Sequence, residues 1–279
     1  VKQFAAAVIK HGKPVYMPGK PNRARLLQVK RKFEERRNIG DVAMTIDGTH
    51  VPWTPDCARF REDYHNYKGW YSILCVMFVD SYYMFVDGEV GHPGRASDAS
   101  VCDHSWMFYE LRQRPLEWLG EGGLLIGDGG FGNDGFLMAP FPNAQTNREH
   151  LFNHCFSSTR FYVEQCFGWW KNRFQFLIRA SQLTHAHEKV MCSDCRDAVP
   201  QKVYCVHAVR IAEEDAELAR TNGCRRGQRL PTIRSNRNST LAARRNEIAD
   251  KLWAQFMERH PDFSGQLGEF HLSSFKNSE

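Results

Sequence analysis

Residues 42–50 read VAMTIDGTH and decide how the rest of the chain is interpreted. Apolar and small or polar residues alternate from 42 to 46, the period of a β-strand. The strand is predicted to end on Asp47, followed by Gly48. A carboxylate at the end of a buried strand is held rigidly while it stays open to solvent. Alone, an Asp-Gly pair after a strand is most often a turn, so its meaning depends on other acids that converge on it.

Composition places few limits on function. The 279 residues are 42% hydrophobic, with a net charge of +5 and nine cysteines. This charge is compatible with a polyanionic partner. The longest apolar run, residues 73–79, suits a buried strand and is too short to span a bilayer. We find no signal peptide, and an odd cysteine count argues against a disulfide framework, so we expect a reducing intracellular compartment. The chain begins at Val1 rather than Met, which suggests that a longer parent protein has lost its N-terminal part.

The order of predicted elements is typical of an α/β domain. Strands are expected at 42–47, 70–79 and 82–90, the last two as a hairpin. An amphipathic helix follows at 99–112, capped by Ser97 or Asp98. A short strand at 124–126 leads into Gly127-Asp128, and a long loop precedes the strongest helix. The remaining elements are a helix at 147–176, an apolar run at 203–209 and a final helix at 241–257.

Three acids can meet in this arrangement. If strand 124–126 pairs beside strand 42–47, Asp47 and Asp128 reach the same edge, and a helix packed on the sheet can aim Glu164 at them. Three unpaired carboxylates in one place repel each other, and divalent metal relieves that repulsion. Oxygen ligands favour Mg²⁺ or Mn²⁺. Two such ions can activate a water or a 3′-hydroxyl and stabilise the leaving oxygen of a phosphodiester.

Five stretches, in this order, resemble PIF/Harbinger-type DDE transposases and the nuclease-like proteins derived from them. They read IDGTH at 46–50, YKGWYSILCVMFVD at 67–80, GHPGRASDASV at 91–101, GDGGF at 127–131 and VEQCFGWWKNRF at 163–174. The resemblance covers roughly residues 40–210 and implies a ribonuclease H-like fold, with a mixed sheet flanked by helices. It implies an enzyme that cleaves and joins DNA strands, with Asp47, Asp128 and Glu164 as the catalytic, metal-binding acids. Thirty-five residues separate Asp128 from Glu164, a spacing typical of the class.

Two stretches depart from the family pattern. The family's Trp-Pro-Gly and His-Asp stand here as His92-Pro93-Gly94 and Ser97-Asp98. Within residues 203–209, Ala208 replaces the family's late asparagine. Both departures concern packing more than the metal site.

Accessory residues have a functional and a structural interpretation each. Asp98 is either a fourth acid near the metal or a helix N-cap, and we favour a cap or a supporting role. His50 either orients a water or a phosphate or makes a structural hydrogen bond. Lys171 lies two helical turns after Glu164, where it either contacts a DNA phosphate or is solvated. Four residues could form a zinc site by type, but we favour free thiols for the cysteines among them: Cys192, Cys195, Cys205 and His207.

Two basic segments are candidate DNA contacts. Residues 1–40 form a basic lead-in that includes Lys30, Arg31 and Lys32, and residues 41–210 form the catalytic domain. Residues 211–279 hold an arginine-rich loop, with Arg225, Arg226 and Arg229, and the final helix. Each run is either a solvated surface or a site for DNA phosphates, which fix position without reading bases.

The sequence therefore predicts a nuclear, metal-dependent DNA endonuclease or transposase. The expected partner is DNA, without a membrane. The helical DNA-reading domain usual in such proteins, or in their partners, is not visible, so a separate helical DNA-binding protein and a homo-oligomer stay open. Two alternatives remain: a domesticated, non-catalytic adaptor bound to DNA or chromatin, and a plain metal-dependent nuclease without transposition.

Overall fold

The computed structural model describes residues 19–53, 58–131, 135–178 and 237–267. Five strands lie at β1 (Val42–Pro52), β2 (Ser72–Val79), β3 (Phe85–Pro93), β4 (Leu124–Ile126) and β5 (Leu137–Met138). The α-helices are α1 (Arg23–Arg37), α2 (Asp98–Asp103), α3 (Trp106–Gln113), α4 (Pro115–Leu119), α5 (Asn147–Arg173) and α6 (Arg237–Arg259). Short 3₁₀ helices occur at Ala58–Tyr64 and Gln175–Leu177.

The strands form one mixed sheet with the order β3-β2-β1-β4-β5. Strands β1, β2 and β3 pair antiparallel, as expected for a strand and a following hairpin. Strand β4 pairs parallel with β1 on one side and with β5 on the other. A parallel neighbour needs a crossover connection, and the helices α2, α3 and α4 supply it. The predicted mixed sheet flanked by helices is confirmed, and it is consistent with a ribonuclease H-like domain.

Helices cover both faces of the sheet. On one face, apolar residues of α2, α3 and α4, such as Phe108, Leu111 and Trp118, pack against the strands. On the other face, α1, α5 and α6 share a buried cluster that includes Phe33, Phe156 and Phe256. Helix α1 therefore packs on the domain, although its residues fall in the basic lead-in.

Several predicted boundaries differ from the structure. Strand β1 continues five residues past Asp47 because Gly48 to Pro52 pair with β2. The predicted helix 99–112 is broken at residues 104 and 105, where the Ser105 side chain accepts the N–H of Phe108 at 3.0 Å and starts α3. Helix α3 ends before Pro115, which opens α4 because proline fits the first helical turn. Strand β5 was predicted as loop.

The long helix α5 begins at a capping box. The Thr146 side chain accepts the N–H of Glu149, and the Glu149 carboxylate accepts the N–H of Thr146. Helix α6 is tied to the domain by two arginines of the predicted basic segment: Arg244 pairs with Asp41 at 2.8 Å, and Arg245 donates to the carbonyls of Ala139 and Pro140. Among the described residues, no helix combines the length and apolar character needed to cross a membrane.

Candidate active site

Strand register places Asp47 beside Asp128. In the parallel pair of β1 and β4, Thr45 lies opposite Ile126. Asp47 lies two residues after Thr45, and Asp128 lies two residues after Ile126. Strand β4 has ended at this point while β1 continues, so Asp47 has no β4 residue paired beside it. Both aspartates line a cleft of about 730 Å³ at this opening.

The turn after β4 holds Asp128 in place. Its Oδ1 accepts the backbone N–H of Gly130 at 2.9 Å, and its carbonyl accepts the N–H of Phe131 at 3.3 Å. Gly127 is needed for close packing, since a Cβ there would lie 2.8 Å from the Phe131 ring and 3.0 Å from Ile46. The Gly-Asp-Gly-Gly stretch thus builds a tight turn around one carboxylate.

Asp98 brings a third carboxylate to the same cleft. It is the first residue of α2, and Ser97 is the N-cap, with its side chain accepting the N–H of Ser100. The cap interpretation of Asp98 is therefore wrong, because Ser97 occupies that position. The Asp98 carboxylate instead lies against Gly48, where a Cβ would be 2.2 Å from Oδ1. Glycine at residue 48 allows this approach of α2 to β1.

Burial and mutual repulsion alter the acidity of two of these acids. Burial raises the pKa of Asp98 to about 6, and the charges of Asp47 and Asp128 raise it further, while the N–H of Gly48 opposes the shift. Burial also raises the pKa of Asp47 to about 6, against the opposing charge of Arg160. Neighbouring carboxylates contribute to both raised pKa values, so a cation in the cleft would be stabilised.

Arg160 already supplies a positive charge at this position. Its guanidinium donates to Oδ2 of Asp47 at 2.8 Å and also bonds to Glu164 one turn later on α5. The two carboxylates differ in exposure: the Asp47 side chain is 16% exposed and that of Glu164 is 41% exposed. Glu164 is therefore linked to the cleft through Arg160, and its charge acts on the pKa of Asp47.

The acids of the cleft are of the type that binds divalent metals, but they are not close enough together to bind one ion jointly. Within the described residues, no three His, Cys, Asp or Glu side chains lie close enough to hold one ion together. Asp47, Asp98 and Asp128 supply carboxylate oxygens to the cleft, the ligands that Mg²⁺ and Mn²⁺ prefer. Burial, with the charges of neighbouring carboxylates, raises the pKa values of Asp47 and Asp98, and a bound cation would favour their charged forms. The donor set therefore fits a hard divalent cation, provided that Arg160 gives up part of its contact with Asp47.

His50 and Lys171 lie further along the cleft. His50 Nδ1 hydrogen-bonds with Ser72 Oγ at 2.9 Å. Burial, with the charges of Lys68 and Lys171, lowers the pKa of His50 to about 4, so its ring is neutral at physiological pH. The Lys171 ammonium donates to Thr49 Oγ1 at 2.6 Å and to the carbonyl of His50 at 3.0 Å. Burial lowers the pKa of Lys171 from its usual value.

The predicted DNA contacts of the lead-in lie elsewhere. Lys30 donates to the carbonyl of Glu121 at 2.9 Å and lies 3.6 Å from Asp41. Asp41 precedes the start of β1, and Glu121 precedes the start of β4. Asp128 follows the C-terminal end of β4, whereas Lys30 lies near its N-terminal end, so the two are at opposite ends of the strands. Arg31 pairs with Glu35, and Lys32 lies over the Tyr82 ring. Arg225, Arg226, Arg229 and the zinc candidates Cys192, Cys195, Cys205 and His207 fall outside the described residues.

Sequence reasoning missed two features of the cleft. Arg160 could have been found, since it lies four residues before Glu164 and such pairs share a helix face. The exposure of Tyr67 could not have been predicted from the sequence, because aromatic residues next to a strand usually pack in the hydrophobic core.

The chain is similar to known proteins of one endonuclease family. A family model described as DDE superfamily endonuclease matches residues 46–205, which is more than half of the chain. "Putative nuclease HARBI1" of Bos taurus is 28% identical over 151 residues, which are 53% of this chain and 41% of that protein. The protein of the same name from Homo sapiens is 28% identical over 156 residues, 55% of this chain and 43% of that protein. The chain thus spans about two fifths of the length of these curated relatives. No solved structure is significantly similar to the chain.

Proposed function

Because this chain belongs to the DDE superfamily endonuclease family, we propose that it is a divalent-metal-dependent DNA endonuclease that hydrolyses phosphodiester bonds in the cleft. DDE superfamily nucleases use divalent metals. The observation that carries the proposal is the register of β1 and β4, which sets Asp47 beside Asp128 in the open cleft. The cleft has both carboxylates and the cationic side chains of Arg160 and Lys171 in its lining, so it can hold both a metal ion and a phosphate.

The three acids of the triad are the proposed ligands. Asp47, Asp128 and Glu164 would hold two Mg²⁺ or Mn²⁺ ions, which supply water activation and stabilisation of the leaving oxygen. Asp98 accepts the backbone N–H of Gly48, the residue after Asp47, and so helps to hold this part of β1 in place. Lys171 is positioned to contact a DNA phosphate along the cleft. His50, which is neutral, fixes the neighbouring loop through Ser72 rather than binding phosphate by charge.

The proposed substrate is DNA in the nucleus. Phosphates of the flanking duplex would contact basic residues such as Arg31, which is exposed, and Lys32. The arginines at 225, 226 and 229, which fall outside the described residues, are further proposed contacts. Sequence reading would come from a separate helical protein or from a part of a longer chain. A transposase of this family would also join the freed 3′-hydroxyl to target DNA, and cutting only at specific terminal repeats would separate it from a plain nuclease.

One observation favours the alternative of a non-catalytic DNA- or chromatin-associated adaptor. Arg160 makes an ion pair with Asp47 at 2.8 Å, and no three acids of the described ranges converge on one point. A protein that uses the cleft only to bind would not need Arg160 to move.

Cleavage of supercoiled plasmid separates the two functions. The wild type should nick the plasmid with Mg²⁺ or Mn²⁺ and not with EDTA. Asp128→Asn should abolish nicking and keep DNA binding. Glu258→Gln, which alters an exposed acid of α6 away from the cleft, should nick like the wild type. Binding without any metal-dependent nicking by the wild type would favour the adaptor.

A further inference from the structure

The cleft extends beyond the carboxylates to a turn that carries exposed aromatic rings. Tyr67, Lys68 and Trp70 line its far part, together with His50. Tyr67 is 83% exposed, the most exposed large hydrophobic side chain among the described residues. A large aromatic ring left in water beside a charged cleft is a common feature of ligand-binding surfaces.

A buried asparagine fixes this turn. Asn66 is only 2% exposed, and its side-chain amide donates to Ser72 Oγ at 2.9 Å. Its Oδ1 accepts the backbone N–H groups of Lys68 at 2.9 Å and Trp70 at 3.3 Å. Gly69 closes the turn with a φ of +85°, a conformation that glycine adopts without strain. The turn is therefore built in one conformation, and the exposure of Tyr67 follows from it.

The rings and cations form a continuous surface. The His50 ring lies 5.8 Å from the rings of both Tyr67 and Trp70, at steep angles to each. The Lys68 ammonium lies 5.4 Å from the centre of the Tyr67 ring, and Lys171 lies on the same cleft wall. His50 is held by Ser72, the same hydroxyl that anchors Asn66. The aromatic surface is thus tied to β2 of the sheet.

This combination matches a nucleotide with an unpaired base. A base stacks on an aromatic face whatever its sequence, and its phosphate is attracted to a nearby ammonium. Bases inside a duplex are already stacked on their neighbours and present only their edges, so they cannot use such a ring. We propose that the turn at Tyr67 and Trp70 stacks an unpaired base of the DNA strand whose phosphate lies at the carboxylates. This inference rests on the proposed function, since it places the substrate strand in the same cleft.

The proposal can be tested without catalysis. A single-stranded oligonucleotide containing 2-aminopurine, and the matching duplex, would be titrated in EDTA and followed by anisotropy and 2-aminopurine fluorescence. Tyr67→Ala should weaken single-strand binding about tenfold and remove the fluorescence change caused by stacking, with less than a twofold effect on the duplex. Tyr67→Phe should retain both signals, because the ring remains.

The control and the contrary outcome are equally direct. Tyr109→Ala removes an exposed tyrosine of α3 outside the cleft and should bind like the wild type. Unchanged single-strand binding by Tyr67→Ala, or equal losses for single strand and duplex, would overturn the proposal. Because the titration contains no metal, its outcome is independent of plasmid nicking: stacking can hold where cleavage fails, and cleavage can hold where stacking fails.

Discussion

Nη1 of Arg160 lies 2.8 Å from Oδ2 of Asp47, and the same guanidinium bonds to Glu164. One side chain of α5 therefore joins two acids of the proposed triad across the gap between helix and sheet. Its positive charge opposes the burial that raises the pKa of Asp47. A cation bound by Asp47 would therefore have to compete with Arg160.

Removing Arg160 should strengthen metal binding. In Arg160→Met, Asp47 loses its hydrogen-bonded cation and a divalent ion no longer has to displace it. We expect the binding free energy of Mn²⁺ to be about 1 kcal/mol more favourable than in the wild type, which corresponds to about fivefold tighter binding. Calorimetry measures this affinity. The DNA-cleavage rate of this variant should fall, because Arg160 also faces the cleft that holds the phosphate.

Arg148→Met is the matched control for that variant. Arg148 is on the same helix and pairs with Asp250 at 2.6 Å, away from the cleft. Its Mn²⁺ affinity should equal that of the wild type. Weaker Mn²⁺ binding by Arg160→Met would mean that Arg160 organises the acids instead of competing with the ion.

Asp98→Asn should stabilise the fold at neutral pH. The folded-state pKa of Asp98, about 6, lies above its ordinary value of about 4. Between these values the folded protein holds more protons than the unfolded chain, so the free energy of unfolding falls as pH rises. Asparagine keeps the acceptor for Gly48 and carries no charge. The variant should gain about 1–2 kcal/mol above pH 6 after allowance for partial exposure, and this gain should disappear near pH 4.

Denaturant unfolding of both proteins at pH 4 and pH 7.5 measures this difference. Asp103→Asn serves as the comparison, since it alters an acid of the same helix that pairs with Arg112. Equal stability of wild type and Asp98→Asn at both pH values would contradict the cost described for a charged, buried Asp98 beside Asp47 and Asp128.

Gly48→Ala should disturb the cleft from the strand side. The added Cβ would lie within 2.4 Å of all three atoms of the Asp98 carboxylate, so this side chain must leave its position or α2 must move away from β1. We expect a loss of about 1–3 kcal/mol in the free energy of unfolding, the usual cost of overpacking, and weaker Mn²⁺ binding. Gly129→Ala, in the turn after Asp128, meets nothing within 4 Å and should change neither quantity. Similar unfolding curves for the two variants would show that the contact of Asp98 with Gly48 is loose.

Lys171→Gln should weaken DNA binding through charge. Its ammonium lies in the cleft beside Thr49, so loss of one phosphate contact should lower the affinity several-fold and reduce the salt dependence by about one unit. Arg31→Gln provides the comparison for the lead-in, since Arg31 is exposed and pairs only locally with Glu35. Fluorescence anisotropy against salt concentration measures both. An unchanged salt slope for Lys171→Gln, with a reduced slope for Arg31→Gln, would place the phosphate contact on α1 instead of in the cleft.

The fold could be predicted from sequence where the pattern is local. The strand alternation around residue 45, the hairpin and the capping box of α5 each act over a few residues, and the family resemblance fixed their order. Strand β5 was missed because it has two residues and depends on pairing with Leu125 and Ile126, which no local pattern reveals. The end of β1 was missed because Asp47 followed by glycine is typical of a turn, whereas pairing with β2 keeps the strand extended.

The sequence predicts which acids lie at the site better than it predicts the contacts that they make. Asp47 and Asp128 meet as the strand order requires. The contact between Asp98 and Gly48 depends on how α2 packs over β1, and the bridge from Arg160 depends on where α5 lies, so neither follows from spacing alone. The roles of the acids in metal binding and catalysis stay predictions.

Calorimetric titration of Mn²⁺ into the wild type and Asp128→Asn tests the central claim most directly. Asp128 lies in the turn after β4 and makes no ion pair with Arg160 in the structure, so its replacement leaves the link between Asp47 and Glu164 in place. The account predicts saturable Mn²⁺ binding by the wild type and a loss of at least tenfold in affinity for the variant. An absence of binding by the wild type, in the presence of DNA as well, would contradict the metal-dependent mechanism and leave the adaptor as the better description.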